Sequence, residues 1–440
     1  MVARLYSQII PLPPAAIRRT GPLFIVLCLY ITAHSFMIPI AAVGPSWSVW
    51  PTLADIMIVP LIGIAILGFR STTALTSLHR RCLRSFGVLL GIALFALLHT
   101  IVFTTEREAV MYGLYFFYRF TEFFLLFWAV SQVAWSTKRL TIIGWVVDIV
   151  LLITCAGVLL TFFGIIPLSN LVAHLPQSPD LAGPWVAYPL KEKFPDDGRG
   201  VGFVGYNHAY AGVQILALVA LRCALTQSRM TMGAILLLMI AVVSSFVTES
   251  RAGFAALIFF LATQFARNPK LLVAAMPLVL TAVVMFGRDM GAVSETVARQ
   301  QTILSATDGD NLSGRPDIWR AYTEVLLNNP SFILVGAGLG ASYPVTPNRS
   351  CHMTPLQYLF ELGLVGFLAY WFIVFQIALL LYRFESGTKP LFFALVALQV
   401  ASFTMETFYP IPYLGHFLGL CLFAIAVSFS ISQLRLLNSH

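Results

Sequence analysis

Apolar stretches of about 20 residues recur along the whole chain, each long enough to cross the roughly 30 Å of hydrocarbon in a bilayer. A helix satisfies its backbone donors and acceptors internally, so such stretches fold in lipid as a helical bundle. The runs are continuous, not alternating, which argues against a β-barrel. Composition agrees. Of 440 residues, 58% are hydrophobic and only 10% charged, against about 25% charged in a soluble domain. The expected fold is all-α: a polytopic helical membrane protein, with residues 1–440 forming one integral membrane domain.

Twelve spans are predicted, near 23–43, 52–69, 86–104, 110–134, 141–165, 207–222, 230–248, 251–266, 271–287, 357–382, 391–408 and 413–433. Lys and Arg set their direction. With the N-terminus inside, the inner side carries basic clusters such as Arg80, Arg81 and Arg84, whereas the short outer loops hold only Arg107 and Arg251. That asymmetry follows the positive-inside rule with both termini cytosolic. The net charge of +8 then belongs to cytoplasmic loops and does not point to nucleic acid. The opening stretch MVARLYSQIIPLPPAAIRRTG lacks a small-residue cleavage site and reads as a cytosolic lead-in. Of six cysteines only Cys351 falls in a large loop, and neither a disulfide framework nor zinc spacing emerges.

Two long segments, 166–206 and 288–356, both fall on the outer side. The second contains SGRPDIWRAYTEVLLNNP. Pro316 suits a first helical turn, and Ile318, Trp319, Tyr322 and Leu326 share one face. An amphipathic helix is expected near 316–328, against the bundle or the outer interface.

The outer side also gathers the candidate chemistry. Arg251 opens the eighth span in VTESRAGF, where Thr248 and Ser250 are possible caps. A helix N-terminus attracts anions, and a guanidinium adds bidentate geometry for phosphate. The plainer account is an interfacial arginine pairing with Glu249. Arg199 lies among glycines in GRGVGFVGYNHAYAG. The GxGxxG match there lacks the βαβ setting that gives that motif meaning. Arg315 precedes the amphipathic helix, and Arg320 pairs along it with Asp317 and Glu324. His352, just before the tenth span, is a candidate base for a hydroxyl nucleophile, or an interfacial histidine bonded to a loop carbonyl. His208 and His174 are outer alternatives, and Lys191 and Lys193 read as solvated loop charges. Asp308-Gly309-Asp310 reads as a turn and not a metal site. Within the spans, Arg119 and Glu122 are expected to pair, and Asp148 has no partner evident in the sequence.

These residues resemble a known group. From His352 the chain reads His, Met353, nine residues, then Gly363-Leu364-Val365-Gly366. O-antigen ligases are similar, with His, a small polar residue, nine residues, and Gly-x-x-Gly at the start of a late span. Met353 stands where the family has the small polar residue. The SGRPDIW helix start, the Gly336-Ala337-Gly338-Leu339-Gly340 run and the SRAGF span start also resemble the O-antigen ligase and polymerase family. The polymerase spacing of Arg, ten residues, Gly is absent, since Arg199 and Arg315 are followed there by Tyr210 and Leu326. The ligase subgroup is therefore favoured.

The resemblance implies about 12 transmembrane helices with two large periplasmic loops in a bacterial inner membrane. It further implies a GT-C-type glycosyltransferase using a glycan on undecaprenyl diphosphate. The acceptor would be a sugar hydroxyl on lipid A–core, or another lipid-linked repeat in a polymerase. Arg199, Arg251 and Arg315 would bind the diphosphate and His352 would be catalytic, with His208 and Arg320 as possible additions. No metal or other cofactor is expected, and no partner beyond donor, acceptor and membrane lipid. The rival from another class is a secondary transporter, which usually has repeated halves and polar groups at the bilayer midplane; this chain has unequal halves.

Overall fold

The structure is a computed structural model, and it describes residues 20–36, 40, 51–68, 77–167, 200–204, 208–226, 232–267, 296–298, 300–301, 315–342, 345, 350–385, 389–410 and 416–438. Among these the chain is helical, with no extended strand. In order come α1 (Gly21–Phe36), α2 (Leu53–Gly68), α3 (Ser77–Phe103), α4 (Arg107–Ser131), α5 (Thr137–Phe162), α6 (His208–Thr226) and α7 (Met232–Val247). Then follow α8 (Arg251–Arg267), α9 (Arg315–Asn328), α10 (Pro330–Val335), α11 (Thr354–Phe384), α12 (Pro390–Ala401) and α13 (His416–Asn438).

Eleven of the twelve predicted spans coincide with helices in this order; the ninth, 271–287, lies outside the described residues. Among the described residues five helices, α3, α4, α5, α6 and α11, are long and apolar enough to cross a bilayer by themselves. Val88, Phe95, Val102, Trp145, Phe372 and Phe375 stay exposed on them, as lipid-facing side chains do. The aromatic interior is formed largely by Tyr112, Phe116, Phe123 and Phe127 of α4, with Tyr358 and Tyr409 from later in the chain.

The first helix is described to Phe36, and residues 37–39 and 41–43 of its predicted span lie outside the described residues. One span ends early. The predicted span 391–408 is helical only to Ala401, after which residues 402–409 form turns. Those turns dock on the start of α11: Thr354 N donates to Ser402 O at 2.8 Å and Thr354 Oγ1 to Met405 O at 3.0 Å. These turns carry Glu406 inward, where protein covers it.

Two clusters of charged groups inside the bundle are paired. Arg119 contacts both Asp55 at 2.8 Å and Glu122 at 2.5 Å, and Tyr30 donates to the other Glu122 oxygen at 2.5 Å. The expected pair is thus a triad, tying α1, α2 and α4. Asp148 pairs with Arg222 across α5 and α6, a partner 74 positions away that sequence spacing does not reveal.

α11 is broken at Gly363, whose φ of 68° is left-handed. The cause is the Gly336–Gly340 segment after α10. Ala337 N donates to Phe360 O at 2.7 Å and Gly338 N to Glu361 O at 3.2 Å, while on its far side Leu339 N donates to Ala96 O of α3 at 3.2 Å. A Cβ on Gly336 would sit 2.3 Å from Glu361 O, and one on Gly363 2.4 Å from Leu334 O. Both glycines are needed for the backbones to touch. Gly336→Ala, at φ 84°, should therefore destabilise the protein by more than about 1 kcal/mol; the check is its melting temperature in detergent, which a tolerated substitution would leave unchanged.

Candidate functional site

The end of the bundle formed by the first turns of α6, α8, α9 and α11 is where ionisable side chains converge. Its centre is Glu406, fully buried in the turns after α12. One carboxylate oxygen accepts from Ser350 Oγ. The other lies 3.4 Å from His352 Nδ1. Arg315, at the start of α9, is within electrostatic reach of the same carboxylate, as is Tyr210 in the first turn of α6.

Burial by itself would raise the Glu406 carboxyl, but the His352 charge and the contacts from His352 and Ser350 outweigh it and hold the group below the ordinary carboxylate value. The stabilisation that follows is present at neutral pH and is lost as pH falls through the depressed value. Arg315 is also lowered from its ordinary value: burial disfavours its charge and Glu406 restores part of it. Its Nε is buried with no hydrogen-bond partner among the described residues, a donor available to an incoming anion.

His352 has φ 50°, a left-handed conformation that costs on the order of 1 kcal/mol. Its side chain remains 35% exposed. One ring nitrogen faces the buried carboxylate while the ring stays accessible, which suits a general base.

Beneath it, Glu361 locks the surrounding backbone. It is fully buried, and its oxygens accept from Ser342 N at 3.3 Å, Ser342 Oγ, Gln357 Nε2 at 2.9 Å and Tyr409 OH at 2.5 Å. These donors come from the segment after Gly340, from α11 and from the turns that hold Glu406. One carboxylate therefore ties together the three segments that set the position of His352.

Arg251 is the first residue of α8. Ser250 Oγ caps the helix, accepting from Gly253 N at 3.3 Å, and Thr248 Oγ1 accepts from Ser250 N at 3.2 Å. Gly212 and Gly253 let α6 and α8 approach closely, since a Cβ on Gly253 would lie 2.8 Å from the Gly212 carbonyl carbon. The α8 N-terminus thereby adjoins the first turn of α6, which carries His208 and Tyr210; Ser250 Oγ reaches Ala209 O at 3.5 Å. Glu249 takes a hydrogen bond from Thr296 Oγ1 at 3.0 Å.

His352 thus contacts the Glu406 carboxylate with Arg315 within its electrostatic reach, and Arg251 and His208 occupy adjoining helix starts at the same end. Arg320 stands apart: it is exposed, 3.5 Å from exposed Asp317. Arg199, His174, Lys191, Lys193, Asp308 and Asp310 lie outside the described residues. The next residue after Arg199, Gly200, donates its N–H to Val247 O at 2.9 Å. Among the described residues no group of His, Cys, Asp and Glu has metal-binding geometry. Glu406 and Glu361 went unnoticed in the sequence; the signal was an acidic residue inside an apolar run, which is functional by default.

No curated protein shows significant similarity to the chain. The family model described as O-antigen ligase matches residues 214–371, a stretch that runs from α6 to the middle of α11 and includes Arg251, Arg315, His352, the glycine segment and Gly363. Over these residues the chain is similar to the O-antigen ligase family.

Proposed function

We propose that the protein is a glycosyltransferase that moves a saccharide from undecaprenyl diphosphate to a sugar hydroxyl on lipid A–core, working at the periplasmic face of the inner membrane. The observation that carries this reading is the 3.4 Å contact between His352 Nδ1 and a buried Glu406, which also lies within electrostatic reach of Arg315. Glu406 holds the Nδ1 proton and leaves the Nε2 lone pair for the acceptor hydroxyl. The hydroxyl oxygen attacks the anomeric carbon as its proton passes to Nε2. The bond from that carbon to the diphosphate oxygen breaks, and its electron pair leaves with the lipid diphosphate. A single displacement of this kind inverts the anomeric centre.

Negative charge grows on the departing oxygen, so fixed guanidinium groups there favour the transition state over the ground state. Arg315, Arg251 and Arg199 take that role, with the α8 N-terminus adding its own positive end. His208 is the secondary candidate, since Arg320 lies exposed and apart from the site. Because arginine supplies the charge, EDTA should leave the rate unchanged; an EDTA-sensitive rate would remove the metal-free scheme.

The test is to incubate purified protein with polyprenyl-diphosphate-linked glycan and either lipid A–core or a second linked repeat. The expected product is glycosylated lipid A–core, and His352→Ala should lower its formation by about 10²–10⁴-fold. A near wild-type rate in that variant would overturn the base assignment. Elongated lipid-linked glycan would make the protein a polymerase of the same family. Flux of a solute in liposomes without transfer would favour the transporter.

A further inference from the structure

The deep attachment of the glycine segment has a consequence for the helix before it. Gly336 sits against Glu361 and Gly363 of α11, 7 to 9 residues past Thr354, or about 10–13 Å down the helix at 1.5 Å per residue. Leu339 is bonded to Ala96 and Thr100 of α3, 3 to 7 residues short of Phe103, or about 5–10 Å from that end. Both helices place the Leu334–Gly340 segment below the ends of the spans. A loop that merely covered the bundle would not reach those levels.

The exposed side chains match that depth. Leu334 is 61% exposed and Val335 43%. They adjoin Gly363, which is followed on α11 by the exposed Leu364, Val365 and Leu368. Across the segment, α3 ends in exposed Ile101, Val102 and Phe103. The apolar side chains of α10 thus continue the lipid-facing surface of two spans. The charged exposed residues Asp317, Arg320 and Glu324 lie instead on α9, and the one exposed polar residue of α10, Ser331, is at its start, away from Leu334 and Val335.

We propose that Pro330–Gly340 is a re-entrant wedge, with Leu334 and Val335 among the lipid acyl chains of the leaflet on the His352 side. The partner is lipid, not a second protein, because the wedge surface is continuous with the belt of the spans and lies at acyl depth. The amphipathic pair is therefore anchored at one end in lipid and at the other by Arg315 at the site. This inference stands whether or not the transfer chemistry is correct.

The test uses the full-length protein in lipid nanodiscs, with a diazirine amino acid placed singly at 334, 335, 320 and 368. After irradiation, intact-mass measurement reads the adduct. Positions 334 and 335 should gain the mass of a phospholipid at a yield within about threefold of position 368. Position 320 should gain water, with lipid adducts at least tenfold fewer. Lipid adducts at 368 but none at 334 and 335 would overturn the proposal, as would dimers cross-linked through 334 or insertion of those labels into the protein's own chain.

Discussion

Glu406→Gln is expected to lower saccharide transfer by about 10²-fold or more while the purified protein melts within a few degrees of wild type. The side chains are nearly equal in size and the amide can keep the bond from Ser350, so the packing around it survives. What changes is charge. His352 loses the negative partner 3.4 Å from its Nδ1, so its tautomer is no longer fixed and the imidazolium formed during transfer is no longer offset. Arg315 loses the charge that offsets its burial. The measurement is kcat at saturating donor and acceptor, beside a thermal melt. A wild-type kcat in Glu406→Gln would separate His352 from Glu406 and leave the carboxylate a structural role only. Glu406→Asp, which keeps the charge but shortens the reach, should recover part of the loss.

Arg119→Ala should be among the most destabilising single changes in the chain. The guanidinium is buried with Asp55 and Glu122, whose side chains are 7% and 0% exposed. Removing it leaves two carboxylates inside the bundle with no cation between them. Breaking a buried ion pair by deleting one partner costs about 3–5 kcal/mol. The readout is the melting temperature and the yield of monodisperse protein from membranes. Asp55→Asn should cost less, because Glu122 still balances Arg119. Equal melting of Arg119→Ala and wild type would mean that the triad contributes nothing to the bundle.

The sequence carried much of the fold because lipid imposes a single rule, a long apolar helix, that can be read locally. The start of α8, capped by Ser250, and α9 beginning at Arg315 were also legible, since caps and amphipathic spacing act within one or two turns. Glu406 was not. It lies inside ASFTMETFYP, which hydropathy absorbs into a span, and its partner Ser350 is 56 residues earlier. Asp55 was hidden in the same way within the second predicted span, 64 residues from Arg119. Three-dimensional convergence of single charges leaves no periodicity to detect. The break at Gly363 was visible as a motif glycine, but its cause, the backbone of Leu334–Gly336 against it, was not.

That break divides α11 into two pieces with different tolerance to changes of chain length. Between Thr354 and Leu362, one inserted residue would turn everything above it by about 100° and lift it by about 1.5 Å, throwing the imidazole out of register with its carboxylate. Past the break, the glycine clamp on α3 and α10 fixes the height of the upper piece, so an extra residue near the Arg383 end would be absorbed toward the opposite membrane face. The histidine's elevation is thus referenced to its neighbours in the bundle and not to the length of the helix beneath it.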